Sequence, residues 1–570
     1  MIGVVADQAE HIVIHEFFEL FKTPWEFYQN NRQYEVLLCS GDHHFDEDTA
    51  KLTLIYASKN LASDPRRDGN TTFRSEGTVL THKGCRLPIY GECITFQPAG
   101  TDVLLEQESR ESAMRLRRSQ HGLIVQIGYS LFHEVDALLR TGQPAKYANI
   151  PTLDLHIALL RELIIDNGVR LIEVPPFPDG YRFIACLTHD VDHPSIHPHK
   201  WDHTMLGFLH RAVFGSLVNL VRGRISISDL VKNWAAVLKL PFVHLGLAKD
   251  FWCNFEDRYL ELEEGLCSTF FVIPFKGDPG RLSEGQAPAY RAAHYRAKDI
   301  AGAIDKILAA GCEVGLHGID AWLDSAKGRE EIDEIRELTG ESEVGVRMHW
   351  LYNDKHSAAA LEEIDAAYDS TAGYKETVGY YAGTTQVYKL LQAVKLLELP
   401  LHVMDTALFY PAYMGLSQRQ GTKIVRKLID DVNRSGGCIT INWHDRSLAP
   451  ERLWGECYRH MIQDLKDRGA WFATAGQAVS WFRKRRSVAF LDGEETDSVR
   501  VQITDARDDL PSLRLRIYNA RESCKAGVRD ADGWLDLTFD ESVNIRLVAP
   551  DHETELLSSA GHRVNYTRMD

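Results

Sequence analysis

Two carboxylates and two imidazoles crowd the stretch Leu187-Thr188-His189-Asp190-Val191-Asp192-His193. It follows a short apolar run, Phe183 to Leu187, that reads as a strand stopping at a polar turn. α/β folds place their chemistry at such strand ends. Asp190 and Asp192 are two apart, so in an extended segment their side chains share one face while His189 and His193 take the other. Carboxylates held that close repel unless something positive sits beside them. A divalent metal would serve, with one Asp as ligand and the other left as a base. A solvated loop rich in turn formers is the plain alternative.

The elements that must position these residues recur downstream. Ser268 to Pro274 reads as a buried strand, and Ile300, Ile304, Ile307 and Leu308 at helical spacing lead to a strand at Cys312 to Leu316. The alternation returns in the helix around Ile332 and Ile335 before Val344 to Arg347. It returns again in the helix holding Ile424, Leu428 and Val432 before Cys438 to Trp443. Repeated βα units imply a parallel sheet, open or closed into a barrel. Residues at successive strand ends would then meet on one face: Asp190 and Asp192, then His317, then Arg347 and His349, then His444. A lone His at a strand end is more often a hydrogen-bonded structural residue than a ligand. Four strand ends in turn supplying Asp, His or Arg are harder to dismiss.

A chain of 570 residues is too long for one core, so about two to four domains are expected. Residues 1–175 mix strand-like runs with a helix over 151–165 and read as an α+β accessory domain. A Pro-rich hinge at Val174-Pro-Pro-Phe-Pro opens the catalytic candidate, 176–486, and residues 487–570 alternate as a small antiparallel β domain. Between Trp201 and Phe255 an apolar stripe is interleaved with Arg211, Arg222 and Arg224. It fits a helix packed on its own domain, with peripheral contact to a membrane surface as the alternative. The net charge of -17 argues against a nucleic-acid partner. Ten scattered cysteines without a Cys-x-x-Cys pair, and no basic-then-apolar leader, predict a reduced, cytoplasmic protein.

Taken in order, Thr188-His-Asp-Val-Asp, Ser268-Thr-Phe-Phe, Glu313-Val-Gly-Leu-His-Gly and Thr440-Ile-Asn-Trp-His resemble the motifs of NodB-type polysaccharide deacetylases, carbohydrate esterase family four. The resemblance spans roughly residues 180 to 480 and is closest to a divergent bacterial branch with an Asp-x-Asp first motif and an N-terminal extension. It implies a distorted (β/α) barrel in which a divalent metal helps remove an N-acyl group, acetyl or formyl, from an amino sugar in a polysaccharide or its precursor; the nitrogen and oxygen donors suit zinc, and also cobalt, nickel or manganese. Carried over, Asp190 is the general base, Asp192 and His317 are metal ligands, and His444 protonates the leaving amine. Arg347 would hold Asp190 ionised through a charge-assisted pair.

Two positions depart from the family. Where most members carry a second His four residues after His317, this chain has Ala321, leaving His349 or Asp320 to complete the ligand set; an Arg-x-His pair at a strand end favours His349. Tyr381 stands near where that branch carries an Arg, which leaves the residue that orients the base open. Two other readings follow from the same residues: a carbohydrate-binding protein on a deacetylase fold that has lost catalysis, and a hydrolase of another non-peptide C–N bond.

Overall fold

The computed structural model describes residues 1–41, 50–59, 71–74, 77–97, 103–119, 122–492, 498–519, 528–529, 534–546 and 556–558. They divide into two compact units, one of residues 181–381 with 385–479, the other of 1–180, 382–384 and 480–570.

The first unit carries the chemistry. Its seven-stranded sheet comprises β1 (Phe183–Val191), β2 (Ser268–Val272), β3 (Glu313–Gly318), β4 (Val346–Met348), β5 (Val403–Met404), β6 (Cys438–Asn442) and β7 (Ala470–Phe472). Every pairing is parallel, in the order β4-β3-β2-β1-β6-β5. β1 is long enough to serve two neighbours along one edge: Phe183–Ala185 pair with β7, and Leu187–Val191 with β2. Its nine residues are all buried, so the strand runs on through Asp190 instead of stopping at Leu187. Strands buried on both faces are continuously apolar, which is why these runs stand out in the sequence. Leu187, Phe270, Leu316 and Ile441 are solvent-inaccessible in the resulting core, each worth about 1.5–3 kcal/mol in burial.

The sheet curls into the distorted barrel that the motifs implied, and it closes through irregular chain. Asp369 bridges Val346 on one side and Glu398 on the other. Leu401 N–H then donates to Ala372 O, and His402 N–H to Thr440 O beside β6. Pro400 has no N–H to give, so this seam cannot run as a regular strand.

The helices fall close to their expected places, at Ala301–Ala309, Ser325–Thr339, Gln418–Ser435 and Gly455–Asp467. An insertion after β1 forms a helical hairpin. Its first arm runs His203–His210, a π turn at Arg211–Gly215, and Ser216–Val221; its second is Ile227–His244.

The other unit holds a six-stranded, largely parallel sheet built around Tyr34–Ser40 and Ala50–Tyr56. It also holds the antiparallel C-terminal strands. Residues 1–175 and 487–570, expected as separate domains, share one sheet here, because Leu171–Glu173 pairs antiparallel with Arg516–Tyr518. Alternating strands read individually do not reveal which distant strand covers their edge.

Asp369 and Glu398 meet, buried, on the barrel's closing seam. Burial pushes Asp369 up to about 6 and Glu398 well above the usual carboxylate range; the Asp369 charge raises Glu398 further, while a hydrogen bond from Glu398 lowers Asp369, so the proton sits on Glu398. Acids whose folded pKa is raised lend stability that is fully present below their unfolded pKa and is lost as pH rises through the folded value. Glu398→Gln should therefore gain stability relative to wild type as the pH rises from 5 to 8. Thermal melts at the two pH values check this; a constant Tm offset would refute a shared proton.

Candidate active site

The C-terminal ends of β1, β3, β4 and β6 converge, bringing all six sequence-predicted site residues together. Asp190 is the most tightly held. Its Oδ1 accepts from Arg347 Nη1 at 3.1 Å, and its Oδ2 accepts from Asn442 Nδ2 at 2.6 Å. Arg347 is itself fully buried and spends its other donors on Thr188 Oγ1, Ser370 O and Ser370 Oγ, over the face of Phe271. Burial, the largest influence, pushes the Asp190 carboxyl up. The charges of His317, Arg347 and His444 outweigh it, and the net shift is downward. Asp190 is thus an ionised carboxylate with a fixed orientation, and the guanidinium beside it belongs to Arg347. Tyr381 packs against Tyr374 instead.

Asp192, His317 and His349 offer one ligand atom each within reach of a single ion. His317 Nε2 lies 3.4 Å from Asp192 Oδ1, His349 Nδ1 lies 3.4 Å from the same oxygen, and the two nitrogens are 3.0 Å apart. A tetrahedral zinc with bonds of about 2.0–2.1 Å separates its ligands by about 3.3 Å, so the three donors fit such an ion. Two further observations agree. His317 Nδ1 is 2.9 Å from the carbonyl of Arg347 and donates to it, which turns the Nε2 lone pair inward. Asp192 Oδ1 is buried and accepts no hydrogen bond, an orphaned anionic atom facing two imidazoles. Burial pulls His349 down to about 4 against the opposing pull of Asp192, keeping its ring neutral at neutral pH.

His444 stands on the far side of Asp192, its Nε2 3.8 Å from Asp192 Oδ2. Its Nδ1 is 2.6 Å from Asp405 Oδ1, and its backbone N–H donates to Asp405 Oδ2 at 2.8 Å. Ser447 Oγ also donates to Asp405. Burial works against a charged imidazole, yet the Asp405 carboxylate beside it pushes His444 up to about 10. Over the neutral range His444 carries a proton on Nε2, aimed at the site.

Asp405 and Asn442 were missed in the sequence. Asn442 ends β6 two residues before His444, and Asp405 follows the two-residue β5, too short for periodicity to register. Asp320, the rival third ligand, is engaged elsewhere: Lys327 Nζ is 2.9 Å from its Oδ2 and the Arg281 N–H 2.8 Å from its Oδ1. Ala321 is fully buried against the helix Ser325–Thr339, where a Cβ on Gly328 would come within 3.0 Å of its own. His189 lies on the opposite face of β1, between Tyr259 and Phe270, with Nε2 3.0 Å from Glu263 Oε1. His193 joins a separate relay through His199 to Asp202. The face alternation expected of an extended segment thus separates the pair of histidines from the pair of carboxylates.

No family model and no curated protein matches the sequence. Among solved structures, the carbohydrate deacetylase Agd3 covers 95% of this chain and 97% of its own at 8% identity, with a TM-score of 0.37. A "probable Polysaccharide deacetylase" from Pseudomonas aeruginosa PAO1 covers 55% of this chain and 94% of its own at 16% identity and a TM-score of 0.34. Peptidoglycan deacetylase PdaC from Bacillus subtilis covers 54% and 95% at 14% identity and a TM-score of 0.24. The solved structures to which this chain is similar thus include polysaccharide deacetylases, the class its motifs resemble, at scores too low to carry the chemistry.

Proposed function

We propose that this protein is a metal-dependent hydrolase that removes an N-acyl group, acetyl or formyl, from an amino sugar in a polysaccharide or its precursor. One observation carries the reading: an ionised, oriented carboxylate and a protonated imidazole stand on either side of three converging donor atoms. The amino-sugar substrate is taken from the motif resemblance; nitrogen and oxygen ligation suits zinc, and also cobalt, nickel or manganese.

In this reading Asp192, His317 and His349 would hold the cation. When bound, a divalent cation supplies Lewis acidity, polarising an amide carbonyl and making water more acidic. Asp190, kept charged by Arg347 and aligned by Asn442, takes the proton of the attacking water. His444, kept protonated by Asp405, gives a proton to the departing amine, without which the C–N bond does not break readily. Arg347 and Asp405 are positioning residues, each acting through the group it holds. A cytoplasmic location, expected from the sequence, belongs to the same proposal.

Three measurements test it. Metal analysis of purified protein should find about one zinc or similar ion per chain, lost in His317→Ala and in His349→Ala but kept in Asp320→Asn; retention in His349→Ala would return the third ligand to Asp320. Asp190→Asn should lower turnover of an N-acetylated chitooligosaccharide by about 10²–10⁴ with metal content unchanged, and undiminished activity would remove the base assignment. Asp405→Asn should lower kcat by about 10²-fold or more while KM stays near wild type. A change in KM alone would make the Asp405–His444 pair a binding feature.

A further inference from the structure

Among the described residues, most of the large exposed apolar side chains fall between Trp201 and Leu247, in the helical hairpin that follows β1. In the second arm Ile227, Val231, Trp234, Leu238, Phe242 and Leu245 recur at three- and four-residue intervals and are all exposed, Leu238 by 73%. That spacing draws one stripe along the helix. The opposite stripe, Asn233, Ala236, Leu240 and Val243, is buried. The first arm repeats the pattern: Met205, Phe208 and Ala212 face inward, while Leu206, Phe214, Leu217, Val218 and Val221 are open, Val221 by 88%. The run His203–Val221 is apolar and long enough to cross a bilayer, yet only 22% of it is buried. The expectation that this stripe packs on its own domain holds for one face of each arm. Among the described residues, none covers the outer face.

The charge of the hairpin says what fits there. From Lys200 to Lys249 seven basic residues stand against Asp202 and Asp229, in a chain whose net charge is -17. Arg222 and Arg224 flank the tip at Gly223, and Lys232 and Lys239 sit beside the open stripe of the second arm. A second copy docked on this face would set these cations against their own counterparts. Basic residues bordering a broad stripe of Trp, Phe and Leu match instead the anionic headgroups and acyl boundary of a bilayer.

We infer that the hairpin docks the protein on an anionic membrane surface. The inner faces of the arms pack with Ile196 and Ala449, residues shortly after Asp192 and His444 in the loops beyond β1 and β6. The hairpin therefore stands at the end of the barrel where the donor atoms converge, and docking brings that end to the headgroups. This assigns the substrate class as an amino sugar carried on a lipid, a step that rests on the hydrolase reading.

Flotation of the full chain with phosphatidylcholine vesicles, with and without phosphatidylglycerol, tests the docking. Binding should need the anionic lipid, weaken with salt, and fall about tenfold or more in Leu238→Glu/Phe242→Glu and in Arg222→Glu/Arg224→Glu. Both variants should keep wild-type circular dichroism and wild-type hydrolysis of a soluble N-acetylated oligosaccharide. Recovery of wild type in the soluble fraction, a dimer that the same substitutions dissolve, or resistance to alkaline carbonate extraction would each overturn surface docking. Vesicle binding by a protein that hydrolyses nothing would uphold the docking and remove the lipid-carried substrate.

Discussion

A carboxylate oxygen that has lost its water and gained no hydrogen bond is costly, and Asp192 Oδ1 is held in that state between two imidazole nitrogens. The remainder of the barrel serves to keep it there. β1 brings the aspartate, β3 and β4 bring the histidines, and the hydrogen bond from His317 to the Arg347 carbonyl ties β3 to β4 while setting the ring that faces the oxygen. Such an arrangement is unfavourable in isolation and becomes favourable around a cation.

The same strands place two carboxylates in opposite surroundings. Asp190 faces a guanidinium and an amide, so it stays charged and open to accept. Asp405 faces an imidazole and a hydroxyl, so its charge is spent on holding His444 protonated. In the proposed reaction, separating base from acid by the donor trio lets one accept and the other donate without neutralising each other directly. Arg347 is the pivot: four of its hydrogen bonds reach β1 and the seam at Ser370, so the group that tunes Asp190 also braces the barrel's closing edge.

The hairpin is the other departure from a self-contained fold. A helix with apolar residues on both faces is stable in water only if something covers the second face. Here the two faces differ in their surroundings. The inner one joins Ile196 and Ala449 in a small core, while the outer one is bordered by cations.

Much of this was written in the sequence. Continuous apolar runs marked the buried parallel strands, helical periodicity marked their connections, and the polar residue after each run marked the strand ends that meet, because a parallel sheet puts its strand C-termini on one side. Residue types and spacing therefore determined the βα architecture and the six side chains that converge; their roles came only from the resemblance of the motifs. Tertiary structure alone decided the rest. Asp405 follows a strand of two residues, and the barrel closes through an irregular seam at residues 369–372 and 397–402, neither of which has a period to read. That Asp320 is held by Lys327 and Arg281, while His349 joins Asp192 and His317, could be seen only in the folded chain. The exposure of the hairpin's outer face, and the pairing of Leu171–Glu173 with Arg516–Tyr518, depended on what packs against each surface. Local sequence records what a segment prefers to bury; only the folded chain settles which surface finds a partner.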